Sequence, residues 1–139
     1  MILVDTNVIS EPLRRAPESR VIAWIDAQPL ETLFLSAITV AELRLGVALL
    51  SPGRRRESLR RRLETEVLSL FAGRVLPFDF AASAAYAALM AKARAAGTTI
   101  TAADGFIAAT ALTHGMMVAT RDTAPFEAAG VSVIDPWTA

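Results

Sequence analysis

The chain has no cysteine, which excludes disulfides, cysteine-bound zinc and thiol catalysis. It has a single histidine, His114, so no histidine metal cluster is available. General-base chemistry by that residue is not expected either, because it precedes Gly115 as a helix C-terminal residue facing the negative dipole end. Lysine is nearly absent: of fourteen basic residues only Lys92 is lysine, and the rest are arginine, the better fork for phosphate. There is no excess of either charge sign, since the formal net charge is zero, so bulk electrostatics do not select a polyanion partner. Long uncharged apolar runs are missing too. Asp5 interrupts the apolar start before a leader can form, and Lys92 and Arg94 break the Ala-rich stretch 81–96. A cytoplasmic protein is the expectation. What is present is a 53% hydrophobic chain of 139 residues, enough for one domain over 1–139 with a sizeable core.

Apolar runs alternate with amphipathic stretches. Residues 1–4, 33–35, 75–78, 116–120 and 131–134 read as short strands, with the third at an edge because of Pro77. Helical turns are expected from Asp5 to Arg14, over 19–28, from Thr39 to Leu50, over 54–72, over 80–96 and from Thr101 to His114. The stop Ser51-Pro52-Gly53 separates the third and fourth helices. Continuously apolar strands alternating with helices indicate an α/β fold: a parallel sheet covered on both faces. In such folds ligands bind at the carboxyl ends of the strands.

Four acids fall at that edge. Asp5 closes Ile2-Leu3-Val4, Asp122 follows Met117-Val118-Ala119, and Glu42 and Asp104 open helices. Gathered carboxylates repel unless protonated or bridged by a cation, and hard oxygen donors suit Mg²⁺ or Mn²⁺. Each acid also has a structural reading. Asp5 fits a helix cap, Thr39-x-x-Glu42 and Thr101-x-x-Asp104 fit capping boxes, and Asp122 fits a turn. The readings are compatible, because helix N-termini favour negative charge. Thr6, Asn7, Thr120 and Arg121 flank the acids as polar neighbours able to orient them. Gly105, inside a helix of an Ala-rich chain, implies a close approach to the backbone, by helix packing or by a ligand.

The run Arg54-Arg55-Arg56-Glu57-Ser58-Leu59-Arg60-Arg61-Arg62 reads first as a solvated face with Glu57–Arg61 and Arg60–Glu64 pairs, and second as a phosphate grip. Arg14, Arg15, Arg20, Arg44 and Arg121 are the candidates for RNA or protein contacts nearer the edge. Helix 80–96, with Tyr86, Leu89 and Met90, fits either core packing or a dimer surface, and Trp24 and Trp137 fit core or rim positions.

These segments resemble a known family. Met1-Ile2-Leu3-Val4-Asp5-Thr6-Asn7-Val8-Ile9-Ser10 looks like the opening of a PIN domain. The stretch Leu35 to Gly46, the stretch Ala103 to Ala111 and Ala119-Thr120-Arg121-Asp122 resemble its next three motifs, and Val133 to Trp137 its closing strand. Among PIN domains the chain is similar to the VapC and FitB toxins of bacterial toxin–antitoxin pairs. One departure stands out: many relatives carry an Asp-Phe pair shortly after the fourth motif, and here the pair is Pro125-Phe126. The resemblance implies a three-layer α/β/α domain with a parallel five-stranded sheet in the order 3-2-1-4-5. It implies a metal-dependent endoribonuclease, with Mg²⁺ or Mn²⁺ held by Asp5, Glu42, Asp104 and Asp122. It implies a small VapB- or FitA-like antitoxin as partner, and a homodimer.

Two other classes compete with this reading. A phosphoryl-transfer enzyme of the haloacid-dehalogenase type wants a second Asp where Asn7 stands, and a receiver domain wants a lysine later than Lys92. A PIN fold without activity, serving only to bind, is opposed by the full set of four acids.

Overall fold

The computed structural model describes residues 1–139. Five strands form one parallel sheet: β1 (Ile2–Val4), β2 (Leu33–Ser36), β3 (Val75–Leu76), β4 (Met117–Ala119) and β5 (Val133–Ile134), in the order β3-β2-β1-β4-β5. The order and strand sense match the expectation. β3 and β5 are shorter than the apolar runs suggested. Pro77 has no N–H to extend β3, and only Val133 and Ile134 align with β4.

Seven α-helices accompany the sheet: α1 (Thr6–Ile9), α2 (Ser19–Ala27), α3 (Ala37–Ala48), α4 (Arg54–Arg61), α5 (Phe80–Ala95), α6 (Ala102–His114) and α7 (Thr123–Ala128). Successive strand residues point to opposite faces, and β1 shows the consequence. Ile2 and Val4 join a core with Val8, Val21, Leu35, Val40, Leu63 and Phe71. Leu3 joins a second core with Leu89, Ile107, Val118 and Phe126. The sheet is therefore covered on both sides, which gives three layers. No helix is long and apolar enough to cross a membrane.

Three expectations need correction. The single helix over 54–72 is in fact α4, a π-helical turn over Arg62–Val67 and a 3-10 turn over Leu68–Phe71. Side-chain hydroxyls compete for the carbonyls there: Thr65 donates to Arg61 O at 2.7 Å and Ser69 to Thr65 O at 2.6 Å. Leu63 stays buried, but Leu70 is half exposed. The ion pairs also differ. Glu57 pairs with Arg60 rather than Arg61, Glu64 takes Arg44 from α3 at 2.9 Å, and Arg62 pairs with Glu66. Finally, α3 is capped by Ser36, whose hydroxyl accepts from Ile38 N at 3.1 Å. Thr39 lies fully buried inside the helix, so Thr39-x-x-Glu42 is not a capping box.

Candidate active site

The strand order reverses between β1 and β4, since β2 and β3 lie to one side and β4 and β5 to the other. Such a switch point opens a crevice at the carboxyl ends of the strands. Val4 and Ala119 are paired there, and Asp5 N donates to Ala119 O at 2.9 Å. Asp5 and the Thr120–Asp122 turn are thereby fixed side by side.

Asp5 is buried and every hydrogen bond around it is used to hold it. Oδ1 accepts from Thr6 N at 2.8 Å, which is the cap of α1. Oδ2 accepts from Thr120 Oγ1 at 2.8 Å and from Asn7 Nδ2 at 3.4 Å. Thr120 spends its one proton on Asp5, and its oxygen accepts from Asn7 Nδ2 at 3.3 Å and from Asp122 N at 3.1 Å. Asn7 Oδ1 accepts from Arg121 N at 3.2 Å. With its donor and acceptor capacity filled, Thr120 orients Asp5 rather than reaching outward. Asn7 links the loop after β4 to the turn after β1.

The second pair of acids comes from helices: Asp104 from the first turn of α6, and Glu42 from the second turn of α3 rather than from its start, because α3 begins at Ala37. Glu42, exposed on α3, accepts from Thr6 Oγ1 at 2.7 Å, and that hydroxyl lies 3.4 Å from buried Thr39 Oγ1. Thr39 is a site neighbour that its apparent cap position concealed. Its signal was the placement three residues before Glu42, which on a helix is the same face. Asp104 sits in the first turn of α6, where Thr101 Oγ1 accepts from Asp104 N at 3.2 Å, so this predicted cap is present. Gly105 shows why α6 can lie so close to α5: a Cβ there would meet Met90 Sδ at 2.8 Å and Tyr86 Cε2 at 3.0 Å. The close approach is therefore helix packing, and Tyr86, Leu89 and Met90 serve the core.

Electrostatics bind the four acids into one group. Burial is the main reason that the Asp5 carboxyl is pushed up to about 6. Thr120 and Thr6 oppose the shift by hydrogen bonding, and the negative charges of Asp104 and Glu42 add to it. Asp104 is also raised, chiefly by burial, with help from the charge of Asp122. No cation offsets this: the ion pairs of the molecule are Arg14–Glu11, Arg44–Glu64, Arg60–Glu57 and Arg62–Glu66. The donor set is all carboxylate, hydroxyl and amide oxygen, the chemistry that a hard divalent cation prefers. As they stand, no three of these side chains form a closed cage. The residues fit such an ion in charge and donor type, and Glu42 and Asp122 are the exposed members of the set.

The arginines divide. Arg14 pairs with buried Glu11 at 3.2 Å and Arg44 with Glu64, so both are engaged away from the acids. Arg15 is exposed and outside these ion pairs. Arg121 lies over the ring of Trp137, and Arg20 donates to Trp137 O at 2.9 Å. A separate groove of about 420 Å³, lined by Ile9, Leu13, Ile25, Leu30 and Phe71 among others, contains none of the four acids.

Residues 2–131 match the model of the PIN domain family. The chain belongs to the PIN domain family. This PIN domain is 63% identical over 139 residues to the plasmid stability protein StbB of Pseudomonas syringae pv. tomato, covering all of both chains. It is 62% identical over 137 residues to the VapC ribonuclease Y4jK of Sinorhizobium fredii, covering 99% of this chain and 98% of that one. It is 59% identical over 137 residues to the toxin FitB of Neisseria gonorrhoeae, covering 99% of each. Its fold superposes on the crystal structure of FitAcB from Neisseria gonorrhoeae with a TM-score of 0.97, at 58% identity and complete coverage of both chains.

Proposed function

We propose that this PIN domain, a single domain over residues 1–139, is a Mg²⁺- or Mn²⁺-dependent endoribonuclease and the toxin of a toxin–antitoxin pair. The observation that carries the proposal is the uncompensated group of four carboxylates at the sheet's switch point. The ribonuclease and toxin parts draw on relatives of about 60% identity that bear those names. The partner is a small antitoxin of VapB or FitA type, and the working assembly contains a homodimer of this chain.

Asp5, Glu42, Asp104 and Asp122 would hold the ion. When bound, it supplies neutralisation of the phosphate charge and acidification of water, the two needs of phosphodiester hydrolysis at neutral pH. The chain's own residues prepare that chemistry. Thr120, Asn7 and the Thr6 amide fix both oxygens of Asp5, and the Thr6 hydroxyl steers Glu42. Fixed donors cost no reorganisation when charge develops. In the metal-free chain the Asp5 carboxyl is pushed up to about 6, so ion and proton compete for it and metal affinity is expected to fall as pH falls.

The test is cleavage of total RNA by purified protein. Activity is expected with Mg²⁺ or Mn²⁺, none in EDTA, and a loss of at least about a hundredfold for Asp5→Asn at unchanged fold. Equal cleavage by wild type in EDTA, or by a folded Asp5→Asn protein, refutes the proposal. A folded wild type that cleaves no RNA with any divalent ion would favour a PIN fold that only binds.

A further inference from the structure

Resting on the ribonuclease reading, we propose that the Arg121–Trp137 pair is a stacking platform for one RNA base beside the carboxylate group. Trp137 acts as the positioning residue and the Arg121 guanidinium as the contact surface.

The platform is assembled from two chain segments. Arg121 Cζ lies over the Trp137 ring, 5.0 Å from its centroid, within the range of a cation–π contact. Trp137 is itself held. Its backbone N–H donates to Asp135 Oδ1 at 2.9 Å, its backbone carbonyl accepts from Arg20 Nη1 at 2.9 Å, and its ring is partly buried against the core. Arg121 is held from the other end, since its backbone N–H donates to Asn7 Oδ1 at 3.2 Å. Asn7 in turn donates to Asp5. The platform is therefore one residue removed from Asp5, the most buried of the four acids, and adjacent in sequence to Asp122.

Charge and exposure point to an unmet ligand. Arg20 and Arg121 are both exposed and stand outside the four ion pairs, as most basic residues of this chain do; what sets Arg121 apart is the aromatic ring behind its guanidinium. An arginine free of acid and backed by an aromatic ring presents its other face to solvent. Unpaired bases of single-stranded RNA stack on guanidinium planes and aromatic rings, and such stacking tolerates any base. A duplex buries its base faces and offers nothing to this surface. The inferred ligand is thus single-stranded RNA, with one unstacked base on Arg121 and a flanking phosphate near Arg20. That also answers how an acidic crevice admits a polyanion: cations stand at the rim and carboxylates at the centre.

Steady-state cleavage of short single-stranded RNA and fluorescence-anisotropy binding of the same RNA to Asp5→Asn protein test the platform. Arg121→Ala is expected to raise KM and weaken binding about tenfold, with kcat changed less than about twofold. Arg121→Lys keeps the charge and its salt dependence but not the stacking plane. Trp137→Ala should match Arg121→Ala, and Trp137→Phe, which keeps an aromatic ring, should recover most of the affinity. An RNA of abasic nucleotides removes the base and leaves the phosphates, so it should bind wild type and Arg121→Lys equally, because the two differ in the stacking plane and not in charge. Equal binding of normal RNA to wild type and Arg121→Ala overturns the platform, whether or not cleavage is seen. A loss confined to binding of a poly-glutamate peptide overturns it too and assigns the pair to an acidic protein partner. Absence of cleavage by wild type defeats only the ribonuclease reading, because the binding comparison still decides the platform.

Discussion

Burial takes water away from Asp5 while Glu42 and Asp104 add negative charge beside it, and its carboxyl rises from the ordinary 3.8 to about 6. The sign of the consequence follows from linkage. Below about pH 4 the group is protonated in both folded and unfolded chains and folding is unaffected. Above about pH 6 it is ionised in both, and the folded chain carries the full penalty, so stability falls as pH rises between the two values. The difference corresponds to about 3 kcal/mol. Asp5→Asn removes that penalty at the loss of charge-assisted hydrogen bonds from Thr6 and Thr120. In EDTA at neutral pH it is expected to be more stable than wild type by about 1–2 kcal/mol, and its stability should fall less steeply than that of wild type from pH 4 to pH 6, the remaining slope coming from Asp104. Thermal unfolding across pH measures both, and a variant less stable than wild type would contradict the electrostatic account. Thr120→Val acts in the opposite sense. It deletes the hydroxyl that lowers Asp5, removes one of the two acceptors of Asn7 Nδ2 and takes away the side-chain acceptor of Asp122 N. A cost of about 1–3 kcal/mol and a shift of the acid limb of RNA cleavage to higher pH are expected.

Among the elements, α6 carries the clearest link between packing and the site. Gly105 lets it lie against Tyr86 and Met90 of α5, and Asp104 is the residue just before. Gly105→Ala gains about 1 kcal/mol of helix propensity but forces an overpacked contact worth about 1–3 kcal/mol. A net loss of stability is expected. The loss should shrink in a Met90→Ala background, where the 2.8 Å neighbour is gone; a double-mutant cycle by denaturant unfolding reads the coupling. Much of the element plan was legible. Ile2-Leu3-Val4 and Met117-Val118-Ala119 had to be buried strands, and Asp5 and Asp122 had to share their edge. The capping of α6 by Thr101 was legible as well. The start of α3 was not, because Ser36 and Thr39 are both good caps and only the burial of Thr39 decides between them. Nor was the π turn over Arg62–Val67, which depends on hydroxyl-to-carbonyl competition inside a helical pattern. Partner choice in the arginine-rich run escaped too: Glu64 is taken by Arg44, which is distant in sequence and adjacent only after folding.

At the scale of the whole molecule, the sheet order places the strand-borne acid Asp5 and the turn-borne Asp122 at one switch point, and α3 and α6 bring Glu42 and Asp104 to them. The positions of Asp5, Asp122 and Asp104 were readable from apolar runs and a helix start, whereas Glu42 lies a turn deeper in α3 than its apparent cap placed it. The absence of a balancing cation was not, since thirteen arginines were available to supply one. The fold stations the acids together without neutralising them, so a divalent ion should stabilise the native state by mass action. Mn²⁺ binding to metal-free protein, followed by isothermal titration calorimetry with wild type and Asp5→Asn side by side, tests this most directly. Saturable binding by wild type, accompanied by a rise in melting temperature and weakened at least about tenfold by Asp5→Asn, is the predicted result. Wild type and Asp5→Asn binding Mn²⁺ equally, or neither binding it, would contradict a metal centre built on these four carboxylates.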